Sequence, residues 1–295
     1  MKGPMFVFEI TPRCNLDCRY CYNVWKNSAG QYPDELSTDQ IEILSDSIAI
    51  AHPISITLTG GEPLLRDDIE EIVSSFKKRG ILVGIATNGI LLDRYKAESL
   101  KEAGASWFEI SVPSISVRGY RELTGVDGLK AVKRGILAAK STGARLTVSH
   151  VITSGNYDEA GKVVELSYAF SADAVALNRF VPGGKGLENR NLLPSSKQLE
   201  FALWSAGERS LDSPGMTVYT AIPIENCIVS HKDYPGITFG TCTCGERKWA
   251  ISPSGDLRVC EQSQHVIGSL LDNSFEELSR SPFVNAFRSS NMRSD

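Results

Sequence analysis

This sequence lacks both a long hydrophobic run and an excess of basic residues. Its apolar runs fall well short of the roughly 20 residues that cross a bilayer, and Glu9 interrupts the first of them, so we expect neither a membrane anchor nor a signal peptide. The net charge of −4 does not suit a nucleic-acid-binding domain. We therefore expect a cytoplasmic protein that binds neither nucleic acid nor membrane. Its thiols should be reduced, and clustered cysteines in such proteins bind metal more often than they form disulfides.

Three of the seven cysteines, Cys14, Cys18 and Cys21, are clustered in the stretch T-P-R-C-N-L-D-C-R-Y-C-Y. Buried packing, a disulfide and a zinc site are the structural alternatives. Packing does not require such clustering, and zinc loops usually use C-x-x-C pairs with a fourth ligand nearby, whereas no further Cys or His occurs before His52. Iron–sulfur clusters usually take four cysteines, so three thiolates suit a four-iron cluster with one iron open to a ligand. An open position distinguishes a catalytic metal centre from a structural one.

The spacing C-x-x-x-C-x-aromatic-C, with Tyr20 at the aromatic position, resembles the signature of the radical S-adenosylmethionine superfamily. The resemblance implies that Cys14, Cys18 and Cys21 are catalytic and hold a [4Fe–4S] cluster, and that Tyr20 helps to bind the cofactor. It also implies that S-adenosylmethionine chelates the open iron through its amino and carboxylate groups. An electron from a reductant such as flavodoxin or ferredoxin would produce methionine and a 5′-deoxyadenosyl radical, which abstracts hydrogen from the substrate.

Hydrophobic patterning around this loop alternates between strands and helices. Six strands are predicted at residues 5–10, 54–58, 81–86, 107–112, 145–152 and 174–180. Helices are predicted between them, the first opening at a capping box of Ser37 and Gln40 and the others at residues 67–78, 94–103, 128–142 and 157–170. Such alternation indicates an α/β fold with a parallel sheet, and six units are too few for a closed eight-stranded barrel. We expect a partial (βα)6 TIM-like barrel over residues 1–210, with its chemistry at the carboxyl ends of the strands.

A glycine-rich turn, T-G-G-E-P, directly follows the second predicted strand. Gly60 and Gly61 permit unusual dihedral angles and close backbone approach, Pro63 stiffens the exit, and Glu62 places a carboxylate at a strand end. A glycine pair alone is more often an ordinary turn. Together with the cysteine loop, it resembles the G-G-E-P motif of the same superfamily. That resemblance implies that these four residues hold the amino group of the methionyl part of S-adenosylmethionine.

Polar residues also end three later strands. Thr87 and Asn88 end the third predicted strand, Ser111 ends the fourth, and Arg179 ends the sixth. Their positions fit the same cofactor, although a surface ion pair is the alternative for Arg179. The segment that starts at Ser111 resembles that of the molybdenum-cofactor radical enzymes. It reads S-V-P where those enzymes often carry S-L-D, so Pro113 replaces an acidic residue.

The four remaining cysteines, Cys227, Cys242, Cys244 and Cys260, follow the point at about residue 211 where the alternation is expected to stop. A hairpin is predicted there, with strands at 248–252 and 257–260, and it would bring Cys260 close to Cys242 and Cys244. Their spacing to Gly255 resembles the SPASM domain or its shorter twitch form, which we place at residues 211–295. The four cysteines are then the ligands of a second, auxiliary [4Fe–4S] cluster.

The same resemblance implies a peptide or a small natural product as substrate. An auxiliary cluster that takes an electron back from the substrate radical would make the net reaction an oxidation, a crosslink or a dehydrogenation. If Cys227 or Cys244 is instead an unligated thiol that donates a hydrogen atom, the reaction is an epimerisation. An iron–sulfur electron carrier or a zinc-stabilised binding protein is the non-enzymatic alternative, although a carrier needs neither an open iron nor a G-G-E-P turn.

Overall fold

The computed structural model describes residues 3–27 and 34–291. Their strands form one eleven-stranded sheet, the centre of which is a run of parallel strands in sequence order. These strands are β1 (Met5–Thr11), β2 (Ser55–Gly60), β3 (Leu82–Thr87), β4 (Ala105–Ser111), β5 (Arg145–Ile152) and β6 (Ala174–Arg179). The six predicted strands of the partial barrel are confirmed, and all of them begin and end close to the predicted residues.

Five further strands extend the sheet at both of its edges. β7 (Thr217–Thr220) and β8 (Thr238–Phe239) continue beyond β6, whereas β9 (Lys248–Ile251), β10 (Asp256–Arg258) and β11 (Gly268–Ser269) lie on the other side of β1. Because β7 pairs in parallel with β6, the expectation that the alternation stops at about residue 211 is wrong. β7 is only four residues long, too short to show a clear hydrophobic pattern. The predicted hairpin is present as β9 and β10, and β9 pairs in parallel with β1.

Helices pack on one face of this sheet. They are α1 (Thr38–Ala49), α2 (Ile69–Lys78), α3 (Arg94–Ala103), α4 (Val117–Thr124), α5 (Leu129–Ser141), α6 (Ala160–Ala169), α7 (Ser196–Leu211), α8 (Phe275–Leu278) and α9 (Pro282–Asn291). The predicted capping box of Ser37 and Gln40 begins α1. α4 has no counterpart among the predicted helices; the Ser116 side chain caps its start, and Gly125 ends it in the left-handed conformation. Within the described ranges, no helix is both long enough and apolar enough to cross a membrane.

Strand residues alternate between the helix-covered face and the inner face of the barrel. On β1, Phe6, Phe8 and Ile10 belong to the hydrophobic core, whereas Glu9 points to the inner face. On β5, His150 is fully buried and alternates in step with core residues, so it belongs to the helix-covered face. The inner face therefore carries polar side chains such as Glu9, whereas His150 is a polar side chain on the helix-covered face.

A completely buried ion pair joins the hairpin to the barrel. The side chains of Glu9 on β1 and Arg258 on β10 are 1% and 0% exposed, and Arg258 Nη2 donates to Glu9 Oε2. Trp25 supports both groups, since its Nε1–H donates to the same carboxylate oxygen at 3.0 Å and its ring centre lies 4.9 Å from Arg258 Cζ. Burial raises the pKa of Glu9 to about 7, although Arg258 acts in the opposite direction. Removing either partner would leave the other without compensation inside the protein.

Replacing Arg258 with Met should remove the counter-ion of Glu9. We expect the free energy of unfolding to fall by about 3–5 kcal/mol, the range typical of a broken buried pair, as measured by denaturant unfolding. Arg280→Met is the matched control, because Arg280 pairs with Glu276 at 2.9 Å with 73% of its side chain exposed. Such surface pairs contribute at most about 1 kcal/mol. Equal losses in the two variants would contradict the prediction.

Candidate active site

The three clustered cysteines lie on a loop that follows the carboxyl end of β1, and their side chains are partly exposed. Within the loop, Cys18 and Cys21 lie in a tight turn. The Cys21 N–H donates to the Cys18 carbonyl oxygen at 3.2 Å. The loop is attached to the end of α4, where the Arg19 N–H donates to the carbonyl oxygen of Leu123 at 2.9 Å. The helix that the sequence pattern does not reveal therefore supports the cysteine loop.

The T-G-G-E-P turn contacts this loop directly. The Gly61 N–H donates to Thr11 O at 2.7 Å, and the Glu62 N–H donates to Arg13 O at 2.8 Å. A Cβ on Gly61 would overlap the carbonyl oxygen of Arg13, so this approach requires glycine. Gly60 has a φ of 132°, which other residues rarely adopt. Both glycines thus bring the turn and the cysteine loop into contact.

The Glu62 carboxylate is fully buried and accepts three hydrogen bonds from neighbouring chain segments. Its Oε1 accepts the Leu64 N–H at 3.1 Å and the Thr87 hydroxyl at 2.6 Å, and its Oε2 accepts the Asn88 N–H at 2.8 Å. Burial raises the pKa of Glu62 to about 7, while these hydrogen bonds act to lower it. The Asn88 side chain in turn donates to Asn15 Oδ1 of the cysteine loop at 2.7 Å. Glu62, Thr87 and Asn88 therefore link the ends of β2 and β3 to that loop.

Tyr20, Pro63 and Ser111 lie at the same edge of the barrel. Tyr20 packs against an apolar cluster that contains Leu123 and Phe180, and burial raises the pKa of its phenol. Pro63 begins a short 3-10 helix over Pro63–Leu65. Ser111 is the last residue of β4 and is half-buried. Contact between these residues and S-adenosylmethionine stays a prediction.

Arg179 holds a later segment of the chain against the end of β6. Its Nε–H donates to the carbonyl oxygen of Pro223 at 2.8 Å, and its Nη2 lies 3.8 Å from Glu225 Oε1. This segment leads to Cys227, whose side chain is exposed. The contact places the segment before Cys227 at the carboxyl edge of the barrel.

A second group of cysteines lies at the opposite end of the barrel. β9 runs parallel to β1 and begins at Lys248, opposite Met5, so its first residue lies at the amino end of β1. Cys244 forms a β-bridge with Lys248, and Cys260 follows the end of the antiparallel strand β10. The Cys244 and Cys260 sulfurs interact directly, and this interaction raises the pKa of Cys244 and lowers the pKa of Cys260. Two thiols therefore meet at the amino end of the sheet.

The side chains around these two thiols fit a metal site. Cys244, Cys260 and Glu261 place their ligand atoms within 4.8 Å of one another. Burial would raise the pKa of Glu261, but the Lys248 ammonium, 2.6 Å from its Oε1, keeps that pKa below its usual value. Thiolates hold transition metals and iron–sulfur clusters, and carboxylates also bind metal ions. Cys242, two residues before Cys244, is exposed.

Polar side chains also occur on the inner face between the two ends. The Asn178 amide donates to Ser149 Oγ at 3.1 Å. Burial raises the pKa of Glu109, and the nearby Ser149 hydroxyl opposes that shift. Burial also raises the pKa of Tyr219 to about 12. No motif in the sequence marks these residues as part of a site. The sequence does contain a sign that Glu9 and Glu109 are functional or paired residues, because each is an acidic residue within a strand of mostly apolar residues.

Comparisons with known families agree with this geometry. The model of the Radical SAM superfamily matches residues 8–166, more than half of the chain. The model of the SPASM domain, an iron-sulfur cluster-binding domain, matches residues 242–295. The first match includes the cysteine loop and the T-G-G-E-P turn, and the second includes the thiols at the amino end of the barrel.

Individual proteins are similar over much of the chain. The PqqA peptide cyclase of Granulibacter bethesdensis is 28% identical over 276 residues, which cover 91% of this chain and 70% of that protein. A probable GTP 3′,8-cyclase of Metallosphaera sedula is 32% identical over 194 residues, which cover 65% of this chain and 60% of that protein. The solved structure of SuiB from Streptococcus suis bound to the precursor peptide SuiA shares the fold, with a TM-score of 0.80 and 14% identity over 98% of this chain and 67% of that chain.

Gly61→Ala should push the T-G-G-E-P turn away from the cysteine loop, because the added Cβ overlaps the carbonyl oxygen of Arg13. A misplacement of about 1 Å can cost about a hundredfold in rate, and we expect a loss of that order in 5′-deoxyadenosine release from S-adenosylmethionine. Gly155→Ala is the matched control, since the nearest atom to its Cβ would be 3.9 Å away. Wild-type rates in both variants would show that the close approach at Gly61 is not required.

The geometry and the comparisons lead to one conclusion about the class of protein. Three partly exposed thiols share one loop at the carboxyl end of the barrel, where a glycine turn contacts them. [4Fe–4S] clusters and S-adenosylmethionine are the cofactors of this arrangement, and the cysteine region at residues 242–260 fits an auxiliary cluster. The chain belongs to the radical S-adenosylmethionine superfamily and is an enzyme with a C-terminal SPASM domain.

Proposed function

We propose that this enzyme oxidises a peptide bound in the barrel interior and thereby forms a crosslink or a dehydrogenated residue. One observation carries the proposal: the loop of Cys14, Cys18 and Cys21 lies at one end of the barrel, and the thiols of Cys244 and Cys260 lie at the other. A substrate on the inner face between them is placed to lose a hydrogen atom toward the first end and an electron toward the second.

The residues at the carboxyl edge of the barrel contribute to the reaction by holding the strand ends and the reacting groups in position. When bound there, the cluster and S-adenosylmethionine supply the one-electron chemistry that removes hydrogen from an unactivated carbon. The hydrogen bonds accepted by Glu62 fix the ends of β2 and β3, and Gly61 holds the turn against the Arg13 carbonyl. Fixed strand ends keep reacting groups aligned, which removes much of the entropic cost of bringing them together.

The inner face suits the amide groups of a peptide. Asn178 and Ser149 can donate and accept hydrogen bonds there, and Glu109 can accept them. Glu9 and Arg258 are paired with each other and fully buried, so they are not available to bind the peptide. A peptide is also supported by the similar proteins, since one is a PqqA peptide cyclase and SuiB was solved with its precursor peptide SuiA.

The proposed reaction balances as a two-electron oxidation. The substrate carbon loses one hydrogen atom and then one electron and one proton. The electron would leave toward the metal site at Cys244 and Cys260. Because such a site can accept an electron, its presence favours oxidation over an epimerisation, in which the substrate radical regains a hydrogen atom. In this proposal, residues 1–210 form the catalytic barrel, and residues 211–295 form an auxiliary domain whose Cys244 and Cys260 lie at the amino end of that barrel. A reductant such as flavodoxin or ferredoxin supplies the first electron.

Anaerobic reconstitution tests these assignments. The wild-type protein should bind about eight irons per chain, four for each cluster, and should release 5′-deoxyadenosine when reduced by dithionite. The variant Cys14→Ala/Cys18→Ala/Cys21→Ala should keep about four irons and release none. With a library of linear peptides in deuterated water, the wild type should give products that have lost two hydrogen atoms, detected by mass spectrometry.

Other results would indicate a different function. A peptide that gains deuterium without a net loss of hydrogen would indicate epimerisation by a thiol donor. About four irons in the wild type and none in the triple variant would favour the same alternative, because the C-terminal cysteines would then hold no cluster. Bound zinc, or no 5′-deoxyadenosine from the wild type, would contradict the radical reaction.

A further inference from the structure

A carboxylate, that of Glu261, lies beside the thiols at the amino end of the barrel. A cluster held by four cysteines would have no role for it. Glu261 directly follows Cys260, and its side chain is 11% exposed. Its Oε1 contacts Lys248 Nζ at 2.6 Å, and its Oε2 lies 3.6 Å from Cys260 Sγ. Its backbone is fixed as well, because its carbonyl oxygen accepts a hydrogen bond from Arg258 Nη1 at 3.2 Å. Glu261 is therefore held with one carboxylate oxygen toward the thiols.

The charges around Glu261 favour a metal cation at this position. As thiolates, Cys244 and Cys260 would join Glu261 in placing three negative charges within 4.8 Å of one another. Such charges repel strongly in a site shielded from water, and uncompensated buried charge is costly. Lys248 neutralises the Oε1 side of the carboxylate. The Oε2 side still faces the sulfurs, where a cationic iron–sulfur core would compensate all three groups.

Cys227 is not among the three side chains whose ligand atoms are grouped at this metal site. It follows the segment that Arg179 holds at the carboxyl end of β6 through the Pro223 carbonyl, whereas Cys244 is bridged to the first residue of β9 at the amino end of β1. The Cys227 side chain is exposed, and the SPASM match begins only at residue 242. Cys242, by contrast, is two residues from Cys244 in the chain.

We propose that Glu261 is the fourth ligand of the auxiliary cluster, through its Oε2, beside the thiolates of Cys242, Cys244 and Cys260, and that Cys227 is not a ligand. A carboxylate is a harder donor than a thiolate, and the Lys248 ammonium on its other oxygen tunes it further. The iron that Glu261 binds should therefore differ from its thiolate-bound neighbours. The proposal concerns ligands alone, so it holds or fails independently of which substrate is oxidised.

The triple variant that lacks Cys14, Cys18 and Cys21 isolates this site, because any bound iron then belongs to the auxiliary cluster. In that background, Cys227→Ser should keep about four irons per chain and an unchanged electron paramagnetic resonance spectrum after reduction. Glu261→Ala should bind about three irons or fewer. Glu261→Cys should keep about four irons but shift both the spectrum and the midpoint potential, since a thiolate replaces the carboxylate.

Glu261→Cys keeps the test decisive if Glu261→Ala does not fold, because the cysteine variant retains a ligand at the same position. A shifted spectrum supports the proposal, and a spectrum and potential identical to those of the parent overturn it. Three further results would also overturn it: full iron content with an unchanged spectrum in Glu261→Ala, loss of iron in Cys227→Ser, or no iron in the triple variant itself.

Discussion

β1 is hydrogen-bonded along both of its edges, and both cysteine sites depend on this arrangement. β2 pairs along one edge and β9 pairs along the other, from Met5 to Phe8. The carboxyl end of β1 leads into the first cysteine loop, and its amino end lies beside the start of β9 and the bridge to Cys244. One strand of seven residues, on the order of 20 Å long, therefore separates the two sites. The buried pair of Glu9 and Arg258 fixes the hairpin against the same strand.

Local sequence signals are sufficient for the repeating part of the fold and for one edge of the site. The apolar runs of the six central strands and the capping box at Ser37 predict their elements, because strand and helix periods are local properties. The cysteine loop and the T-G-G-E-P turn each follow a predicted strand, so a parallel sheet is expected to place both at its carboxyl edge. Their direct contact follows from the side-by-side pairing of β1 and β2 in the structure. α4 escapes prediction because its buried side is short, marked mainly by Tyr120, Leu123 and Thr124.

Features that depend on distant pairing could not be predicted in this way. Arg258 alone suggests an exposed hairpin residue, and only Glu9, brought to it across the sheet, makes its burial possible. Glu261 gains its position from Lys248 and from the fold of the hairpin, neither of which a cysteine count reveals. The motif identifies Glu62 as a site residue, but it does not reveal that both carboxylate oxygens accept hydrogen bonds from the protein itself.

The pairing of β9 with β1 also affects how the chain assembles during synthesis. β2 is available to β1 early, but the second edge of β1 stays open until residues 248–251 have been made. Contacts between residues so far apart in sequence form slowly. An open edge on an apolar strand is a template for pairing with other chains. The strand that leads into the first metal loop thus keeps one edge open to pairing with other chains while synthesis is incomplete, and a truncation before β9 would make that exposure permanent.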